Sequence, residues 1–230
     1  SNCFRYSSVL EEEKMAFARF VLATLAVMAV LAVARAAVGV DISQAVSVSS
    51  FQCIRNAGYG SFAIPRVYQS VGRVDPNGAQ TVKNAWAAGV AHVDGYIFPC
   101  PKCGNGYGQV QAAVQNLRNA GANIGMLWLD IEGSQYWMDQ ASNRNFFASM
   151  VSGGQAAGVR LGVYTSASQW NPIMGSYTGG SGFPLWYAHY DNSPSFNDFR
   201  SFGGWSKPAM KQYVGDTTVC GVGADLTWYP

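Results

Sequence analysis

Asp130 and Glu132 stand at the end of an apolar run, Met126 to Leu129, with one isoleucine between them and Gly133 after. If that run is a strand, residues two apart point the same way, and the two carboxylates share a face roughly 6–7 Å apart. Two acids presented together at the end of a buried strand are costly unless something uses them, although structural networks also gather carboxylates. Their chemistry would be general acid catalysis beside a fixed charge. Glycoside hydrolysis has that requirement: one carboxyl protonates the leaving oxygen while a second charge stabilises an oxocarbenium-like centre. The longer Glu132 is the natural acid. Asp130 would stay charged, or orient a 2-acetamido group so that the sugar assists its own departure. The spacing is too long for the usual retaining nucleophile and fits either an inverting pair or an assisted route.

The scarcity of glutamate sharpens this reading. Residues 1–14 resemble an upstream extension ahead of Met15, and residues 15–37 carry the marks of a secretory signal peptide. Arg19 lies in a short basic region, Phe20 to Val33 is almost wholly apolar, and Ala34-Arg35-Ala36 is a small-x-small cleavage pattern, with cleavage expected after Ala36 or Ala37. Removing this leader takes away four basic and three acidic side chains, so the net charge falls from +2 to +1. No basic field invites nucleic acid, and no membrane partner is expected after cleavage. The remaining chain, 38–230, has nine aspartates and a single glutamate, Glu132. It has the size of one domain.

Cys3 leaves with the leader. Cys53, Cys100, Cys103 and Cys220 remain, an even number in a chain expected to be secreted. The pairing favoured among three connectivities is Cys53–Cys220, start to end, with a local Cys100–Cys103 bridge. Cys100-Pro101-Lys102-Cys103 lacks the surroundings of a thioredoxin-like redox motif. His92 and His189 are too few and too separated for a metal site, so neither metal nor cofactor is expected.

The elements that must position these groups alternate. Strands are expected at 38–43, 62–69, 92–98, 123–132, 160–165, 185–191, 209–214 and 222–229. Helices are expected at 46–57, 78–88, 107–120 and 142–157, closed by Gly58, Gly89, Gly121 and Gly158, with one further turn at 166–170. Residues 174–183 read as a loop, and helices thin out after it. The fold class is α/β, a modified, irregular TIM-like (β/α) barrel with fewer helices in the C-terminal half. An open doubly wound sheet is the alternative, but no G-x-G-x-x-G follows the first strand. In a barrel, functional residues gather where strands end, so Asp41, Asp191 and Asp225 could join Asp130 and Glu132. Closure would set Asp41 beside Asp225. Tyr96, Tyr164, Trp186 and Tyr190 leave strands as candidate sugar-binding faces, although most of the 31 aromatics belong to the core.

A set of motifs in order now resembles a known family: Val40-Asp41-Ile42-Ser43, Trp128-Leu129-Asp130-Ile131-Glu132-Gly133, Gly162-Val163-Tyr164-Thr165, Leu185 to Tyr190, Lys211-Gln212-Tyr213 and Ala224-Asp225-Leu226. The chain is similar over 38–230 to glycoside hydrolase family 25, the Chalaropsis-type lysozymes or muramidases, and its cysteine segment resembles the animal or protist branch. The resemblance implies a barrel that cleaves the β-1,4 bond between N-acetylmuramic acid and N-acetylglucosamine in bacterial peptidoglycan. It implies Glu132 as general acid, Asp130 as its partner, and Asp41 and Asp225 as flanking carboxylates. Tyr164, Tyr190 and Gln212 would contact substrate, and a second Asp or Asn is expected near Thr227. A secreted monomer acting in digestion or antibacterial defence is expected. Two other readings are a catalytically silent sugar-binding protein and a chitinase-type enzyme. The first has no need of Glu132, and the second expects a D-x-x-D-x-D-x-E row that residues 125–129 do not supply.

Overall fold

A computed structural model of the chain describes residues 37–230. The expected upstream extension and the expected signal peptide up to Ala36 lie outside the described residues. Strands β1 (Ala37–Ile42), β2 (Phe62–Gln69), β5 (Gly95–Ile97), β6 (Leu127–Asp130), β7 (Leu161–Thr165), β8 (Leu185–Ala188), β9 (Met210–Val219) and β10 (Val222–Tyr229) close into a barrel. Their order is β1-β10-β9-β8-β7-β6-β5-β2, and β1 also pairs with β2. Neighbours run parallel from β2 through β9 and across β1–β2; β10 is antiparallel to both β9 and β1. Two short strands, β3 (Arg73–Val74) and β4 (His92–Val93), pair with β2. Helices α1 (Val48–Asn56), α2 (Gly78–Ala87), α3 (Gly106–Asn119), α4 (Gln140–Ala156) and α5 (Ala167–Met174) cover the outside, and none lies between β8 and β10.

Strand alternation separates two buried regions. Leu127, Leu129, Leu161, Val163 and Leu185 face the helices. Trp128, Tyr164, Trp186, Ile64 and Met210 point into the barrel and pack as a second cluster. Trp186 meets Trp128 and Tyr164 edge-on at 5.7 and 4.6 Å, so aromatic rings fill the lumen beneath the rim. The next inward residue above that layer is Asp130 on β6 and Gln212 on β9.

The expected helices end where their glycines stand: Gly58, Gly89, Gly121 and Gly158 all have positive φ. Several boundaries differ from expectation. The strand expected at 123–132 is hydrogen-bonded as a strand only over Leu127–Asp130. The one at 92–98 is split at Asp94, whose carboxylate accepts from the Met126 N–H at 2.8 Å and from Trp128 Nε1 at 2.9 Å. The strand at 209–214 runs on to Val219 and returns through Cys220 and Gly221, both at positive φ, the conformation of a two-residue hairpin turn. Cys220 in that turn bonds to Cys53 on α1, and Cys100 bonds to Cys103.

Candidate active site

Four acids meet at the rim where the parallel strands end. Asp41 on β1 and Asp225 on β10 are direct register partners across the antiparallel closure. Asp130 ends β6, and Glu132 lies two residues beyond it. The Ile131 N–H still donates to the Tyr164 carbonyl at 2.9 Å, which keeps the chain extended and Glu132 on Asp130's side. Gly133 then turns at φ +66, a value that favours glycine, and its N–H donates to Gln169 Oε1 at 2.9 Å. Trp137 Nε1 donates to the Glu132 carbonyl at 2.8 Å. The backbone on both sides of Glu132 is thereby fixed. Asp41, Tyr96, Asp130, Glu132, Tyr164, Trp186, Tyr190, Gln212 and Asp225 line one pocket.

Gln212 is the hub of that pocket. Its Nε2 donates to both Asp41 oxygens at 3.0 and 2.9 Å and to Asp225 Oδ2 at 3.1 Å. Its Oε1 accepts from Tyr164 at 2.6 Å and from Tyr190 at 2.9 Å. Trp186 Nε1 donates to Thr227 Oγ1 at 3.0 Å, and Thr227 approaches Asp41 Oδ2 at 3.4 Å. Thr227 stands fully buried where a second Asp or Asn was expected, and it belongs to the site. In the sequence it stood out only as a departure from the expected Asp or Asn, two residues after Asp225 on an alternating strand. Asp130 differs from its neighbours. It is 3% exposed, and its Oδ1 is buried with no hydrogen-bond partner among the described residues.

Residues 32–213 match the family model described as Lysozyme-like protein 1. The chain is 57% identical over 212 residues to a probable GH family 25 lysozyme 2 of Dictyostelium discoideum, covering 92% of this chain and 100% of that one. It is 47% identical to Lysozyme-like protein 5 of Caenorhabditis elegans, covering 84% and 91%. The chain belongs to glycoside hydrolase family 25, the lysozymes. Its fold matches the family GH25 lysozyme from Aspergillus fumigatus with a TM-score of 0.69 at 22% identity, covering 85% of this chain and 94% of that one. Membership of the family makes the chain a glycoside hydrolase.

One expected site residue is not brought in. Asp191 lies beyond the end of β8, and its Oδ2 accepts from Lys211 Nζ at 2.7 Å. Lys211 is fully buried on the outer face of β9, opposite Gln212, and it also donates to Asp198 Oδ1 at 2.7 Å. Burying that ammonium demands anionic partners, which holds Asp191 away from the pocket. His189 Nδ1 lies 2.6 Å from Asp198 Oδ2 in the same network. His189, Asp191 and Asp198 group as potential metal ligands, but the Lys211 ammonium already serves both carboxylates.

Charge crowding dominates the pocket. Burial first, then Asp225 and Glu132, push the Asp41 carboxyl well above its ordinary range. Burial, Glu132 and Asp41 do the same to Asp130, with Arg66 opposing weakly. Glu132 is raised by burial and by Asp225, and Asp225 by burial. Arg66 is itself engaged, by Asp75 at 2.8 Å and by the Ser43 carbonyl at 2.8 Å. Each of these carboxyls is thereby harder to ionise than an isolated one.

This has a consequence for stability. An acid whose folded pKa is raised stabilises fully below its unfolded value, about 4, and loses that contribution as pH rises through the raised value. Asp191 and Asp198 are lowered by Lys211 and work the other way, losing their contribution as pH falls below about 4. The thermal midpoint should thus be higher at pH 5 than at pH 8, and Asp130→Asn should flatten that slope. A midpoint that climbs from pH 5 to pH 8 would contradict the crowding.

Proposed function

We propose that the enzyme hydrolyses the β-1,4 bond between N-acetylmuramic acid and N-acetylglucosamine in bacterial peptidoglycan. Glu132 is the general acid and Asp130 its partner, with Asp41 and Asp225 flanking them. Tyr96, Tyr164, Trp186, Tyr190 and Gln212 form the walls that receive the sugar. The leader pattern at 15–37 and two disulfides support a secreted monomer, acting in digestion or antibacterial defence.

The orphan Oδ1 of Asp130 carries the mechanism. A buried carboxylate oxygen without a partner is costly, and an acetamido N–H docked against it would remove that cost. The acetamido oxygen would then attack C1 as Glu132, held protonated by burial and Asp225, gives its proton to the leaving glycosidic oxygen. Water opens the resulting ring, and Glu132 takes the proton back. Both steps invert, so the product retains its configuration. Both carboxyls also leave the same strand end, whereas an inverting pair places its base across the sugar.

Digestion of purified peptidoglycan should create new reducing ends at muramic acid, and proton NMR of the first products should show the β-anomer. Reducing ends at glucosamine would overturn the bond assignment. The α-anomer would replace the assisted route with an inverting one.

A further inference from the structure

The C-x-x-C segment and the rim beyond Glu132 take no part in the chemistry described so far, yet they meet. Phe98 stands two residues after the pocket-lining Tyr96, and its ring meets Tyr136 edge-on at 5.2 Å and 75°. A Cβ on Gly133 would lie 2.7 Å from Tyr136 Cδ2, so the Tyr136 ring rests on the residue next to Glu132. Tyr136 is nevertheless 39% exposed. An aromatic ring that is pinned and still open to solvent, beside a catalytic pocket, is a binding surface in waiting.

The pinning comes from the cysteine loop. Lys102, between the two cysteines, donates from Nζ to the Gln135 carbonyl at 2.7 Å. The loop itself is rigid: besides its disulfide, the buried Gln109 accepts from the Cys100 N–H at 2.9 Å and donates to the Cys100 and Gly104 carbonyls at 2.8 Å. On its far side, Cys103 packs against Gly72 in the turn between β2 and β3. The loop thus ties the scaffold to the segment that carries Tyr136.

We propose that Tyr136 and Phe98 form a shelf that stacks against one hexosamine ring of the glycan next to the scissile bond, and that the Cys100–Cys103 loop is its brace. This rests on the reading of the substrate as a β-1,4-linked glycan. A pyranose offers a face of C–H bonds that suits an electron-rich ring.

Tyr136→Ala should raise KM on soluble peptidoglycan glycan strands roughly tenfold while kcat changes less than twofold. Tyr136→Phe and Tyr136→Trp keep a π-face and should stay within about twofold of wild-type KM. Cys100→Ser with Cys103→Ser should raise KM in the same direction as Tyr136→Ala. Tyr229→Ala, an exposed tyrosine paired with Ala37 at the opposite end of the barrel, should alter neither constant. An unchanged KM in Tyr136→Ala, or a Tyr136→Phe as weak as alanine, would overturn the shelf. Calorimetric binding of a chitooligosaccharide separates the two claims. If wild type releases no muramic reducing ends, the substrate reading falls; the shelf then stands or falls on whether Tyr136→Ala weakens that binding roughly tenfold.

Discussion

Glu132→Gln should lower kcat on peptidoglycan by about a thousandfold or more, with KM nearly unchanged. General acid catalysis contributes about 10²–10⁴-fold, and a glutamine of the same shape has no proton to give to the leaving oxygen. A thousandfold loss corresponds to about 4 kcal/mol of barrier. The substitution is unusually clean here. The Glu132 carbonyl and the Gly133 N–H are held by Trp137 and Gln169, so the side chain changes while the backbone stays. It also removes one of four crowded acids, so the folded protein should be as stable as wild type or more so at neutral pH. Turbidity clearing of Gram-positive walls, with the thermal midpoint as a control, decides the matter. Clearing that survives in a folded Glu132→Gln protein would take the acid's role away from this residue.

Removing the Cys53–Cys220 bridge should cost about 3–5 kcal/mol. It joins residues 167 apart, from α1 to the tight turn between β9 and β10. In the chain-entropy account, a loop longer than 100 residues is worth nearly 5 kcal/mol, against a total stability of about 5–15. Cys53→Ser with Cys220→Ser should therefore lower the thermal midpoint by roughly 10 °C at this chain length. Cys100→Ser with Cys103→Ser closes a span of only 3 and should cost about 2 kcal/mol or less. Equal losses for the two pairs would mean that local packing, not chain closure, sets the value of these bridges.

The order of strands and helices was largely written in the pattern of apolar residues and closing glycines, because both act locally. Phe62–Gln69 and Val222–Tyr229 form strands with the expected bounds. Boundaries failed where a partner decides them. Asp94 interrupts a strand because Met126 and Trp128, more than thirty residues away, claim its carboxylate. β9 outruns its apolar run because β10 supplies an antiparallel edge for polar residues such as Thr217 and Thr218. The meeting of Asp41 with Asp225 followed from barrel closure. The fate of Asp191 did not, since its partner, Lys211, gave no sign in the sequence that it would be buried. The orphan oxygen of Asp130 depends on packing in three dimensions, and no spacing rule contains it.

The antiparallel closure of β1 by β10 has a temporal side. Asp41 arrives among the first strands of the domain to leave the ribosome, and Asp225, with Thr227, in its last. A growing chain that already holds Asp130 and Glu132 still lacks one wall of the pocket. The pocket is therefore complete only when the final strand slots between β9 and β1, and Cys220 becomes available to lock it only at the same moment. Such long-range pairing is slow to form. The four-acid pocket is thus among the last features of the domain to assemble.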